Sequence, residues 1–264
     1  MPVPGDRSRL AKIGEDWEVL EGVIQEFMGE KSALNPVIGR CKDGIVLIDT
    51  GAPGTFGQLE NSLLKLGFGI EEIKMVVITH YHFDHVGNLM EIAMRNKNAR
   101  ILMGKNDIPY YAGDKVPEEE AVDEKELRKY FPNFKKSDLD GAAKDEDISY
   151  SPDLELLSRI EPVEEDLSVI DVPGEMRIVA TPGHTPGHLS VYLQELKALV
   201  AGDLMMYWKG NFSGPIRTFS SDPETADESV RKVSTFEIDK LIGYHGSPFF
   251  GNVNSMINEY LSNI

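Results

Sequence analysis

The histidines of this chain are clustered in a way that predicts a metal site. Six histidines occur among 264 residues, and three of them, His80, His82 and His85, fall within the segment HYHFDH, together with Asp84. On an extended segment His80 and His82 would point to the same side. Neutral imidazole and carboxylate groups are the usual protein ligands of Zn²⁺ and of other borderline divalent cations. We therefore predict that this segment binds metal.

Further candidate ligands occur in three later segments, each of which directly follows a predicted buried strand. His184 and His188 lie in TPGHTPGH, Asp203 ends ALVAGD, and His245 lies in GYHG. A catalytic zinc ion usually keeps three protein ligands and one open position, so this number of donors suits two metals. Two cations about 3.5–4 Å apart can share a hydroxide and stabilise a developing oxyanion. Taken alone, Asp203 would be a helix cap or a turn residue, but beside these histidines we interpret it as a bridging carboxylate.

The elements that must position these residues alternate between strands and helices. IKMVVIT is a continuous apolar run, which predicts a strand buried on both faces and ending at Thr79. Before it, VIGRCK and IVLIDTG predict a hairpin with Asp43-Gly44 as its turn, followed by a helix in FGQLENSLLKLGF. After Pro162 we predict strands in LSVIDV, MRIVAT, HLSVYLQ, ALVAGD and DKLIGYH, and a closing helix in NVNSMINEYLSNI. This alternation indicates a layered fold of helices and sheets.

An acidic region from about residue 105 to 162 interrupts this pattern. The sequence predicts surface helices with solvated faces there, and the alternative is a lid over the site, because long insertions in compact domains are often functional. Its aromatic side chains could line a pocket or anchor the insertion to the core; they are Tyr110, Tyr111, Tyr130, Phe131 and Phe134.

Composition limits the partners and the compartment. The formal net charge of -17 argues against nucleic acid and against an anionic membrane surface. Cys41 is the only cysteine, so no intramolecular disulfide can form and a reducing compartment fits. No signal sequence and no apolar run of about 20 residues is found. We therefore expect a cytoplasmic protein with a small-molecule substrate, and a homodimer is the prior expectation for its oligomeric state.

Five motifs together resemble those of the metallo-β-lactamase superfamily. They are LIDTG, HYHFDH, TPGHTPGH, VAGD and YHGSP, and their order and rough spacing agree with that family over positions 48 to 246. The resemblance implies an α+β fold: an αββα sandwich of two mixed sheets flanked by helices, with the site at one edge. We expect one such domain over residues 1–264, with the helical insertion at about 105–162.

The resemblance also implies a ligand set for two divalent metal ions. One metal would take His80, His82 and His184, the other would take Asp84, His85 and His245, and Asp203 would bridge them. Asp84 would also orient the attacking water or relay a proton. Zinc is the first expectation, and iron, manganese and cobalt are alternatives that such ligands also accept.

Two further residues near the site have other expected roles. His188 is not normally a ligand in the family, and it could support a ligand or simply pack in the structure. Asp49, in LIDTG, is expected to hold loops or a ligand.

The same resemblance favours a hydrolase that attacks ester-type or acyl bonds with a metal-bound hydroxide. A lactonase similar to the N-acyl homoserine lactonases comes first, and those enzymes carry a catalytic tyrosine just after the bridging aspartate. Tyr207 is the candidate here, one position later than expected. A thioesterase similar to glyoxalase II is the alternative, although the basic C-terminal helices of those enzymes have no counterpart after His245. An iron-dependent sulfur dioxygenase and a non-catalytic metal-binding protein are the candidates from other classes.

Overall fold

We describe the fold from a computed structural model, which defines residues 12–27, 30–116, 122–132 and 152–264. In chain order its strands are β1 (Trp17–Val19), β2 (Ile24–Phe27), β3 (Glu30–Ala33), β4 (Val37–Cys41), β5 (Gly44–Ile48), β6 (Ile73–Ile78), β7 (Arg100–Gly104), β8 (Ile160–Val163), β9 (Leu167–Val169), β10 (Met176–Ala180), β11 (Leu189–Leu193), β12 (Ala198–Gly202), β13 (Met206–Trp208), β14 (Asn211–Ser213), β15 (Lys240–Gly243) and β16 (Phe249–Phe250).

The helices in these ranges are short. They are α1 (Phe56–Lys65), α2 (Phe83–Val86), α3 (Leu89–Arg95), α4 (Ile108–Tyr111), α5 (Glu124–Tyr130), α6 (Leu154–Arg159), α7 (Pro223–Val233) and α8 (Val253–Leu261). None of the described helices has the length and apolar content required to cross a bilayer.

Two six-stranded mixed sheets form the centre of the molecule. The first has the order β1-β4-β5-β6-β7-β8, in which β5 to β8 run parallel. The second has the order β16-β15-β12-β11-β10-β9, in which β12 and β15 run parallel. The short pairs β2-β3 and β13-β14 lie outside these sheets as separate hairpins.

The side chains of β6 show how the first sheet is covered on both faces. Met75 and Val77 belong to the apolar cluster between the two sheets, whereas Val76 and Ile78 pack with the cluster that includes Leu63 of α1 and other helix residues. This alternation follows from the two-residue period of a strand. A strand that is apolar on both faces therefore needs a second sheet on one side and helices on the other.

The second sheet repeats the arrangement. Ala198 and Val200 of β12 face the cluster between the sheets, and Leu199 and Ala201 pack with side chains of α7 and α8. The four layers are helices, sheet, sheet and helices. The predicted α+β sandwich of the αββα type is thereby confirmed.

The β4-β5 hairpin differs in one detail from the prediction. Cys41 pairs with Gly44, so Lys42 and Asp43 are the two loop residues rather than Asp43 and Gly44. Gly44 has a φ of 148°, and a Cβ atom there would lie 2.1 Å from the carbonyl oxygen of Glu72. Close approach of the neighbouring backbone, in addition to the turn, therefore requires glycine at this position.

Part of the acidic insertion contributes to the fold. Strand β8 joins the first sheet parallel to β7, so regular structure resumes before residue 162. Tyr111 is buried in the apolar cluster between the first sheet and its helices. Tyr110 stacks on Tyr81, with ring centroids 5.1 Å apart. Tyr130 and Phe131, at the end of α5, pack against a small cluster of Leu127, Met206 and Ile216. Phe134 lies outside the described residues.

Asn96 joins three segments at the amino ends of β6 and β7. Its amide nitrogen donates to the carbonyl oxygens of Ile70 and Ile73, at 2.9 and 2.7 Å. Its side-chain oxygen accepts from the backbone N–H groups of Asn98 and Ala99, both at 3.1 Å. The side chain is buried, so these backbone groups depend on it for their hydrogen bonds.

We predict that Asn96→Ala lowers the free energy of unfolding by about 2 kcal/mol or more, because buried polar groups lose their partners. Urea unfolding of the metal-free protein, followed by circular dichroism, measures the change. A loss smaller than about 0.5 kcal/mol, the usual effect of a neutral surface substitution, would contradict this role.

Candidate metal centre

The predicted ligands meet because they follow strands whose carboxyl ends lie at one edge of the sandwich. His80 comes shortly after β6, His184 after β10, Asp203 directly after β12, and His245 shortly after β15. Parallel strands end at the same edge of a sheet, which is where open sheets of this kind place their ligands. The remaining three predicted ligands share the segment with His80. All seven predicted positions therefore converge.

His80, His82 and His184 form one group whose nearest ring nitrogens lie within 4.8 Å of one another. The Nε2 atom of His80 is 2.9 Å from Nδ1 of His82, and Nε2 of His184 is 3.2 Å from the same Nδ1. His80 and His184 are buried, and His82 is half-buried. Three imidazoles that face one point can hold one metal ion.

Asp84, His85 and His245 form a second group of the same size. The Nε2 atom of His245 lies 3.2 Å from Oδ2 of Asp84, and Nε2 of His85 lies 3.8 Å from Oδ1 of Asp84. Asp203 stands beside both groups. Its Oδ1 is 3.5 Å from Nε2 of His85, and its Oδ2 is 3.6 Å from Nε2 of His184 and 3.5 Å from Nε2 of His245.

Two buried atoms show that a cation fits between these side chains. Within the described part of the chain, neither Nε2 of His85 nor Oδ1 of Asp203 has a hydrogen-bond partner. A buried polar atom without a partner is costly. Both atoms belong to the usual donor set of Zn²⁺ and similar cations, and both point into the cluster. The residues present therefore fit a metal ion.

The protonation states also favour metal binding. Burial holds the pKa values of His80 and His184 well below the usual value and lowers that of His82 to about 4, so these imidazoles are neutral at pH 7. Burial raises the pKa values of Asp84 and Asp203, but neighbouring histidines outweigh it and lower both. Neutral imidazole and ionised carboxylate are the forms that bind a cation.

The pKa values of His85 and His245 reflect the negative charge of the carboxylates at the centre of the site. Burial lowers their pKa values, but the nearby carboxylates raise both overall. For His85 these are Asp49, Asp84 and Asp203, and for His245 they are Asp203 and Asp84. The carboxylates therefore stabilise positive charge at this point, as they would stabilise a bound cation.

Asp49 orients His85, as predicted for a residue that holds a ligand. Its Oδ2 lies 2.9 Å from Nδ1 of His85 and accepts from the hydroxyl of Thr79 at 2.8 Å, and its Oδ1 accepts from the Thr79 N–H at 2.8 Å. A carboxylate at Nδ1 makes that nitrogen the donor, which leaves Nε2 with its lone pair free for a metal.

His188 supports Asp203, which decides between the two roles left open by the sequence. Its Nε2 accepts from the backbone N–H of Asp203 at 3.1 Å, and its Nδ1 lies 2.9 Å from the hydroxyl of Thr181. The ring is fully buried, and burial lowers its pKa to about 3, so it stays neutral. A Cβ atom at Gly202 would lie 2.7 Å from Nε2, so glycine allows this approach. His188 thus positions the backbone of Asp203.

Two residues at the site were missed by sequence reasoning. Gln25, on β2, donates through its amide nitrogen to Oδ2 of Asp84 at 3.2 Å. The Tyr244 hydroxyl donates to the carbonyl oxygen of Asp84 at 2.6 Å. The ring centroids of Tyr244 and His85 lie 3.8 Å apart. Tyr244 precedes His245 in the last motif, which is a signal that could have been used. Nothing near Gln25 in the sequence indicates its role.

Tyr207 lies on β13, next to the segment that carries His245. Its ring packs against Phe249, with centroids 4.7 Å apart, and its carbonyl oxygen accepts from the Ser247 N–H at 2.9 Å. Its backbone pairs with Gly246, the residue after His245. The residue therefore lies beside the last ligand segment, and its catalytic role remains a prediction.

Comparison with known proteins supports the interpretation of this geometry. Residues 37–245 match the family model described as the metallo-beta-lactamase superfamily. The chain is 31% identical over 229 residues to “Probable metallo-hydrolase YflN” of Bacillus subtilis (strain 168), an alignment that covers 81% of this chain and 80% of that protein.

Two further similarities are more distant. The N-acyl homoserine lactonase of Bacillus thuringiensis is 23% identical over 222 residues, which cover 73% of this chain and 71% of the lactonase. The crystal structure of the metallo-beta-lactamase family protein TTHA1429 from Thermus thermophilus superposes with a TM-score of 0.68 at 19% identity, and it covers 96% of this chain and 80% of that one. At this identity the superposition shows the fold.

The contact of Asp49 with His85 leads to a prediction about metal affinity. Asp49→Asn should weaken Zn²⁺ binding about 10- to 100-fold, because His85 loses the charge that fixes its ring. Titration of the metal-free protein by calorimetry measures the affinity.

Asp227→Asn is the matched control. Asp227 is also buried, but its partners are Arg217 and Tyr260, so Zn²⁺ affinity should stay unchanged in this variant. Equal affinity in Asp49→Asn and in the unmodified protein would show that Asp49 does not orient the ligand.

Proposed function

The chain belongs to the metallo-beta-lactamase superfamily, and on that basis we propose that it is a dinuclear metal-dependent hydrolase of ester-type or acyl bonds, with a lactone as the first candidate substrate. The observation that carries this proposal is the position of Asp203 between the two ligand groups, within 3.6 Å of His85, His184 and His245. One carboxylate next to both groups suits two cations that share a ligand.

The bound cations would lower the pKa of a water molecule towards about 7 and polarise the carbonyl group of the substrate. The chain's own residues arrange the rest. The carboxylate of Asp84 accepts a hydrogen bond from Gln25, and the backbone carbonyl oxygen of Asp84 accepts one from Tyr244. A carboxylate held in this way can accept the proton of an attacking water and pass it to the leaving oxygen. His188 fixes the backbone of Asp203 and so keeps the shared ligand in place.

The choice of a lactone rests on similarity as well as on chemistry. The B. thuringiensis relative bears the name of a lactonase and aligns with 73% of this chain. A thioester would be attacked at the same kind of acyl carbon. The charge of -17 supports a small molecule as substrate, because nucleic acid would be repelled.

A substrate panel combined with metal analysis tests the proposal. We expect two metal ions per chain, zinc first, and measurable hydrolysis of generic lactones, with aryl esters and thioesters as comparison substrates. Asp203→Ala should retain about one metal ion and lose at least ~100-fold in kcat/KM, because both groups lose their common ligand. Elemental analysis and initial rates measure both effects.

Asp227→Asn is again the control and should keep both metal ions and the activity. Two metal ions in Asp203→Ala would overturn the bridging assignment. Complete inactivity of the metal-replete protein on the panel would favour a non-catalytic metal-binding protein. A single iron ion per chain would favour an oxygenase.

Tyr207→Phe tests the predicted catalytic tyrosine. If its hydroxyl stabilises the developing oxyanion, we expect kcat to fall about 100- to 1,000-fold with KM and metal content little changed. The ring contact with Phe249 is kept in this variant, so its stability should not change. Unchanged kcat would assign Tyr207 to packing alone.

A further inference from the structure

Asp107 is a buried carboxylate in the turn between β7 and α4. Its side chain has no solvent exposure and accepts three hydrogen bonds. Oδ2 accepts from the Tyr81 N–H at 3.1 Å and from the Thr185 hydroxyl at 2.7 Å, and Oδ1 accepts from the Gly187 N–H at 2.5 Å. None of these partners is a predicted metal ligand.

The partners are nevertheless neighbours of ligands in the sequence. Tyr81 stands between His80 and His82, and Thr185 directly follows His184. His80 and His82 follow a strand of the first sheet, whereas His184 follows a strand of the second. Asp107 therefore joins the two segments, from different sheets, that carry the whole His80, His82 and His184 group.

Two glycines permit this junction. A Cβ atom at Gly104 would lie 1.7 Å from the carbonyl oxygen of Gly187, and one at Gly187 would lie 2.5 Å from the backbone nitrogen of Asp107. The end of β7 and the segment after His184 are thus in backbone contact. This close approach allows one short side chain to reach both segments.

His184 has other ties to the body of the protein: its carbonyl oxygen accepts from the Ser221 N–H at 3.0 Å, whereas the contact of its ring is weaker. Its Nδ1 lies 3.4 Å from the hydroxyl of Ser220, a long contact for a hydrogen bond. Burial raises the pKa of Asp107 to about 7, although its three hydrogen bonds lower it. Burial of a carboxyl group costs free energy, and the hydrogen bonds of Asp107 to the two segments offset part of this cost.

We propose that Asp107 is the positioning residue that sets His184 against His80 and His82, and thereby determines the metal affinity of that one group. This inference rests on the proposed dinuclear site. Asp84 and His85 follow Tyr81 on helix α2, and His245 follows β15; none of the three hydrogen bonds of Asp107 reaches α2 or the residues around His245. A defect at Asp107 should therefore affect one of the two metal equivalents.

The test is a stepwise titration of the metal-free protein with Zn²⁺ by calorimetry and with Co²⁺ by visible absorption. In Asp107→Ala we expect one equivalent to bind about 10- to 100-fold more weakly and the other to keep its affinity. The Co²⁺ spectrum of the weakened equivalent should change, since its ligands are displaced. Thr185→Val removes one of the three hydrogen bonds at nearly constant volume, so we expect a smaller loss in the same equivalent.

Asn96→Ala is the control for lost stability, because it breaks a comparable buried network at the opposite ends of the same strands. It should lower the melting temperature but leave both metal affinities unchanged. If Asp107→Ala fails to fold, Thr185→Val alone decides. Unchanged affinities in the Asp107 and Thr185 variants, or equal loss at both equivalents, would overturn this inference while the proposed function stands. Fewer than two equivalents in the unmodified protein would overturn both.

Discussion

The arrangement of the site depends on the burial of three carboxylates next to imidazole rings. Asp49, Asp84 and Asp203 all approach His85, and the first two are almost completely withdrawn from solvent. Ionised groups can be buried only where opposite charge or hydrogen bonds compensate the lost hydration. The histidines provide part of this compensation, and a cation at the unpartnered atoms of His85 and Asp203 would provide the rest.

The double-sheet architecture supplies the rigidity that such a site needs. Its ligands stand at the carboxyl ends of strands that are covered on both faces, so the strands cannot shift without disturbing two apolar clusters. Glycines allow the loops between them to approach closely. At Gly202 this brings His188 close to Asp203, and at Gly187 it brings Asp107 between the segments that follow β6 and β10.

A second layer of side chains determines which atom each ligand presents. Asp49 directs Nε2 of His85 into the cluster, His188 holds the backbone of Asp203, and Tyr244 holds that of Asp84. Such contacts fix tautomers and ring orientations before a cation arrives. The protein therefore presents a site whose geometry is set by its own fold, which lowers the cost of ordering the ligands when they bind.

The layers of the fold and the convergence of the candidate ligands could both be predicted from the residue pattern. Apolar runs with a strand period require cover on both faces, and histidines that follow such runs must gather at a sheet edge. The roles of His188, Gln25 and Asp107 became clear only from the folded chain. The partners that define these roles are Asp203, Asp84 and Gly187, which lie 15, 59 and 80 residues away in the chain, and no local pattern encodes a contact of that separation. Hydrogen bonds between loops depend on the distance between two sheets, which is set by the packing of the whole core.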